Sequence, residues 1–169
     1  VKRDGSALRY ARAPARFDVG IVMAAVRQDA DALDYAPLNM QMNSDVVLVA
    51  VTAHGSALRY AHWTLRSNRG VVLAAVTDHG LAVRFALADL DDDYDIVLAA
   101  VRQNAAALPW ASNRLRGDRT IVLTAVRQDG FALRDAAVFL HDDREIVLAA
   151  VKQNREAWYF ATPRLQVDR

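Results

Sequence analysis

Six-residue apolar runs recur along the chain at Ile21–Val26, Val46–Val51, Val71–Val76, Ile96–Val101, Ile121–Val126 and Ile146–Val151, each 25 residues after the last. No insertion or deletion breaks that register from Val1 to Arg169. Folded at this period, the sequence shows fixed columns. Valine fills one (Val1, Val26, Val51, Val76, Val101, Val126, Val151) and alanine two more, at Ala7 and Ala11 and their equivalents. Leucine dominates the column of Leu8, Leu33, Leu58, Leu108 and Leu133, and a second runs through Leu65, Leu90, Leu115, Leu140 and Leu165. An aromatic column reads Tyr10, Tyr35, Tyr60, Phe85, Trp110, Asp135, Phe160. Self-similarity at a period of 20–50 residues marks a stacked-repeat architecture.

A short apolar run fits a buried strand as well as a helix. Its flanks decide. Asp or Asn stands three residues before every run (Asp18, Asn43, Asn68, Asp93, Asp118, Asp143), where a side-chain oxygen can accept the orphan N–H groups of a helix start. Asp95 and Glu145 suit the first turn, and Arg27, Arg102, Arg127 and Lys152 the last, of a helix dipole. Alanine pairs inside the runs favour helix over strand. Residues 18–29 and their equivalents are therefore expected to form a long helix A. Gly5, Gly55, Gly80 and Gly130 read as the C′ residues that stop it, a position that commonly takes a left-handed backbone. After a tight turn, Ala57, Ala61 and Leu65 are spaced i, i+4, i+8, as in a short helix B; residues 6–12 and their equivalents are expected to be short helical or 3₁₀ turns.

The expected fold is all-α, an α-solenoid of six to seven stacked 25-residue helix-turn-helix repeats, because neither helix buries its apolar surface alone. The units run about 18–42, 43–67, 68–92, 93–117, 118–142 and 143–167, within one repeat-array domain over 1–169 read as a fragment of a longer array. Small alanine columns let helix axes approach to about 8 Å, so the stack would extend roughly 60–70 Å as a rod or arc.

The pattern Asp-Arg-x-Ile-Val-Leu-x-Ala-Val-[Lys/Arg]-Gln-[Asn/Asp]-Gly-x-Ala-Leu-Arg-x-Ala, read at Asp118–Ala136 and Asp143–Ala161, resembles the repeat family known as domain of unknown function 4116. Departures are local: Ala30, Ala105 and Arg155 replace the glycine and Asp135 the aromatic residue. The resemblance implies the solenoid and implies no activity, cofactor or catalytic residue.

Composition narrows the remaining classes. The absence of cysteine excludes disulfide scaffolds, thiolate metal sites and thiol catalysis. A net charge of +1 argues against a dedicated polyanion binder. No apolar stretch approaches the ~20 residues of a membrane span. A soluble, intracellular protein is expected rather than a secreted one.

Candidate chemistry is sparse. His54 and His79 share a column otherwise held by Asp or Asn (Asp4, Asp29, Asn104, Asp129, Asn154), where a polar side chain bonds the turn backbone. Repeats about 8–10 Å apart would separate the imidazoles too far for one zinc ion, so no metal is expected. The acidic run Asp89–Asp95 lacks the glycine and the distal glutamate of a calcium loop. No serine stands in a nucleophile setting. No cofactor and no enzyme activity are expected. A basic column at Arg9, Arg59, Arg84 and Arg134, with a second at Lys2, Arg27, Arg102, Arg127 and Lys152, supports RNA or DNA binding as the alternative function. The leading expectation is a protein-binding scaffold, adaptor or assembly subunit, able to associate end to end. Its candidate residues are Leu81 and Phe131, apolar intrusions with Ala106 in a column that opens helix B, extended by Trp63 and Phe139.

Overall fold

The computed structural model describes residues 5–167. Val1, Lys2 and Asp4, and the cap position Asp168, lie outside the described residues. The chain forms two compact units, Val1–Leu90 and Asp91–Arg169.

Each repeat contributes one α-helix of ten residues. In the first unit these are Val19–Gln28, Ser44–Ala53 and Arg69–Asp78, and in the second Tyr94–Gln103, Arg119–Gln128 and Arg144–Gln153. Among the described residues there is no strand. The helices begin where the caps place them. Asn43 Oδ1 accepts the N–H groups of Asp45 (3.0 Å) and Val46 (3.2 Å), and Asp118 Oδ1 those of Thr120 (2.9 Å) and Ile121 (3.0 Å). Within each unit consecutive long helices pack side by side, and a layer of six-residue 3₁₀ helices packs against them.

The core lies between the two layers. Val46, Val47, Ala50 and Val51 of one helix, and their equivalents Val71, Val72, Ala75 and Val76, meet Leu33, Leu58 and Val83 of the 3₁₀ layer. Each fully buried valine or leucine contributes about 1.5–3 kcal/mol. The apolar run is not covered all round, since Leu48, Val49, Leu73 and Ala74 are only half-buried.

Two local features differ from the sequence expectations. Helix B is not continuous. A 3₁₀ helix (Gly55–Tyr60) ends at Ala61, whose extended backbone (φ −69°, ψ 147°) starts a new direction, and a one-turn helix Trp63–Arg66 follows. The repeat thus holds three elements, the third carrying the leucine column, buried at Met40, Leu65, Leu115, Leu140 and Leu165 and half-buried at Leu90.

The glycine that follows the long helix is not left-handed either: no described glycine has positive φ. It is required by close approach. A Cβ built on Gly55 would lie 2.9 Å from His79 Cβ and 3.0 Å from the Ala75 carbonyl carbon, with the carbonyl oxygen nearer still. Gly5 and Gly130 meet the carbonyls of Ala25 and Ala150 in the same way. The end of one long helix therefore rests directly on the backbone that opens the preceding 3₁₀ helix. Side chains tighten the joint: Asp78 Oδ2 accepts the Gly55 N–H (2.7 Å), and Gln153 Oε1 accepts the Gly130 N–H (2.6 Å).

Candidate functional site

The third elements form an edge of their own. In the first unit the one-turn helices Ala13–Arg16, Leu38–Gln41 and Trp63–Arg66 succeed one another. A backbone bond ties the second to the third, His62 N–H donating to the Gln41 carbonyl (3.0 Å), and beyond the third Leu87 N–H donates to the Arg66 carbonyl (3.0 Å). Arg66 Nε returns a bond to the Phe85 carbonyl (2.7 Å), and Arg16 bonds the Tyr35 carbonyl likewise. Met40 and Leu65 on these helices point into the core.

Their outer side is apolar. Leu38 and Trp63 open consecutive short helices and are 59% and 62% exposed; Phe17 and Met42 close consecutive ones and are 57% and 46% exposed. Met42 and Trp63 each stand one residue from the Gln41–His62 bond, so they flank it. The Trp63 ring lies 5.3 Å, centre to centre, from His62, whose Nδ1 is 2.9 Å from Thr64 Oγ1. Isolated exposed apolar residues need no explanation; here large ones recur at the same two positions of consecutive repeats. Of the four, the sequence reading named Trp63 alone. The signal for the rest was present as large apolar residues in the same loop column of two consecutive repeats.

The second unit uses the corresponding positions differently. Asp92 accepts from Arg114 Nε (2.9 Å) and from the Ser112 hydroxyl, and Asp142 accepts from Arg164 Nε (2.9 Å) and the Thr162 hydroxyl (2.5 Å). These staples join neighbouring repeats. At the joint between them Gly117 stands where the aspartates do, and Phe139 lies over it, 3.0 Å from where a Gly117 Cβ would be. Phe139 and its neighbour Val138 remain largely exposed. Hydrogen bonds from Ser112 and then Arg114 hold the Asp92 carboxyl below the usual carboxylate value, and Arg164 and then Thr162 do the same for Asp142.

The other candidates have local settings. Leu81 is half-buried and Ala106 exposed. Phe131 is half-buried, its ring edge-on to Phe160 with centres 6.0 Å apart. The basic column meets the aromatic column: the Arg9 guanidinium lies 5.6 Å from the Tyr35 ring, Arg59 4.4 Å from Tyr60 and Arg84 4.7 Å from Phe85. Arg59 also pairs with Asp31 (3.4 Å), and Arg134 with the adjacent Asp135 (3.3 Å). Among the described residues no three His, Cys, Asp or Glu side chains gather as a metal-holding group. No helix among them is long and apolar enough to cross a membrane.

A family model described as "Domain of unknown function (DUF4116)" matches residues 18–66, 68–116, 93–140 and 118–166. The chain belongs to the DUF4116 family. Each DUF4116 match opens on a helix-capping residue (Asp18, Asn68, Asp93, Asp118), so the family unit and the capped long helix share one boundary. No curated protein and no solved structure matches the chain.

Proposed function

We propose that this DUF4116 array is a non-enzymatic protein-binding module, a scaffold or adaptor, which captures its partner on the short-helix edge of the first unit. The exposed group Phe17, Leu38, Met42 and Trp63 carries this reading. The edge is braced, because the second and third short helices are bonded through the backbone and Arg16 of the first bonds the Tyr35 carbonyl, and aromatic and methionine side chains are the types enriched at interface cores. The polar side chains available for chemistry have structural work. The Asp and Asn column caps helices, and Asp92 and Asp142 join repeats.

The alternative reading, RNA or DNA binding through Arg9, Arg59, Arg84 and Arg134, has weaker support. Three of these guanidinium groups lie over aromatic rings and the fourth is paired with Asp135. The discriminating experiment compares native-extract capture by the natural chain and by a variant carrying Leu38→Ser and Trp63→Ser. The proposal expects a protein captured by the natural chain and lost in the variant, with helicity unchanged. Capture that ribonuclease or deoxyribonuclease abolishes, and that the variant retains, would overturn it.

A further inference from the structure

The column that ends each long helix and opens the next 3₁₀ helix has a defined task. Its side chain accepts the N–H two residues on: Asp29 from Asp31 (3.0 Å), Asn104 from Ala106 (2.9 Å), Asp129 from Phe131 (2.9 Å) and Asn154 from Glu156 (3.0 Å). Two consecutive repeats depart from this. His54 performs the task poorly, with Nδ1 3.3 Å from the Ser56 nitrogen, and His79 makes no side-chain cap bond. Capping accounts for the acids and amides of this column; it does not account for paired histidines.

Their rings stand close together. The two imidazole centres are 5.7 Å apart and tilted by 50°. A metal held by a nitrogen of each ring at about 2.0–2.1 Å would sit roughly 3 Å from each ring centre, so centres up to ~6 Å apart can share one ion. The spacing of repeats, about 8–10 Å between helix axes, does not set this distance, because side chains on neighbouring repeats lean toward each other.

The backbone beneath the rings is fixed. His54 N–H donates to Ala50 (2.9 Å) and its carbonyl accepts from Ala57 (3.0 Å); His79 N–H donates to Ala75 (2.9 Å) and its carbonyl accepts from Ala82 (2.8 Å). Gly55 locks the two segments in contact, with its N–H on Asp78 Oδ2. Ser56 Oγ lies 2.9 Å from His54 Nδ1. Nδ1 here accepts the Ser56 N–H over a long 3.3 Å, so ligation through Nε2 requires the Nδ1–H tautomer, in which the ring gives up that contact and donates to Ser56 Oγ instead. His54 is exposed and His79 half-buried, so water can complete the coordination shell.

We propose that His54 and His79 form a two-histidine site for a single divalent transition-metal ion of the imidazole-preferring class, such as Zn²⁺ or Ni²⁺. The ion bridges the second and third long helices of the first unit at their ends. The test is calorimetric titration of the full chain with Zn²⁺, alongside His54→Asn and His79→Asn. Both variants install the residue that Asn104 and Asn154 already provide in this column, so folding is preserved and circular dichroism checks it. One ion per chain should bind, and each variant should weaken it by at least about tenfold by removing the chelate. His62→Asn and His141→Asn should leave the affinity unchanged. No saturable binding by the natural chain would overturn the proposal. So would affinity that survives both column variants, or that falls equally when His62 or His141 is replaced.

Discussion

Replacing Gly55 by alanine tests the joint on which the stacking depends. In most settings this change stabilises by about 0.4–1 kcal/mol, because alanine has less unfolded-state entropy to lose. Here the new Cβ would stand 2.9 Å from His79 Cβ and 3.0 Å from the Ala75 carbonyl carbon. Ordinary contacts begin near 3.5 Å, so the neighbouring helix end must retreat by roughly half an ångström or more. Overpacking of this kind costs about 1–3 kcal/mol. Ala30 and Ala105 occupy the same column elsewhere, so a shifted joint can take a methyl group, while the clash with the Ala75 carbonyl oxygen keeps the cost near the middle of that range. The net expectation is a loss of about 1 kcal/mol, read as a lower urea midpoint at constant slope. Gly55→Asn sharpens the test. A left-handed site would tolerate asparagine better than alanine, whereas a close-approach site must reject the larger side chain more strongly. Gly55→Asn proving milder than Gly55→Ala, or Gly55→Ala proving stabilising, would refute the reasoning.

Further outcomes follow from the geometry. Asp92 and Asp142 have carboxyls held below their ordinary value by hydrogen bonds from Ser112 and Arg114, and from Arg164 and Thr162. Such groups add stability that is complete above the unfolded value of about 3.9 and is lost as pH falls through the folded one. Acid melting curves of the Asp92→Asn, Asp142→Asn double variant should accordingly be flatter below about pH 4 than those of the natural chain; parallel curves would contradict this. Ala88 and Asp89 have left-handed backbones (φ 57° and 59°), so Ala88→Gly should raise stability by about 0.5–1 kcal/mol in urea denaturation. Arg116 has a buried Nε without a partner, while Gln41 and Gln166 in the same column bond two carbonyls each. Arg116→Gln should therefore stabilise by about 1 kcal/mol in the same assay, and a loss would show that the guanidinium is needed there.

The long helices were legible because two independent signals coincide. An apolar run sets the buried face, and an Asp or Asn three residues earlier fixes the start. The third element was hidden because Ala57, Ala61 and Leu65 satisfy helical spacing even though the backbone turns at Ala61. Pro37, directly after Ala36, carried the contrary signal, since the residue before proline avoids helical conformation. Gly55 was misread because residue type reports conformational freedom and room for a neighbour with the same letter. His54 and His79 were set apart by an axis spacing that side-chain lean overrides. The short-helix edge escaped notice for a related reason. Trp63 stood out as an exposed candidate, but Leu38 reads as part of a continuous helix B, and the break at Ala36 that turns it outward is not visible in helical spacing.

The central claim is that partners engage the short-helix edge of the first unit. Hydrogen–deuterium exchange on the chain, alone and with a captured partner, tests it directly. The account predicts new protection over residues 13–17, 38–42 and 63–66, with the segments around Tyr10, Tyr35, Tyr60 and Phe85 unchanged. Protection confined to those aromatic and arginine segments, with the short helices exchanging as in the free chain, would contradict it.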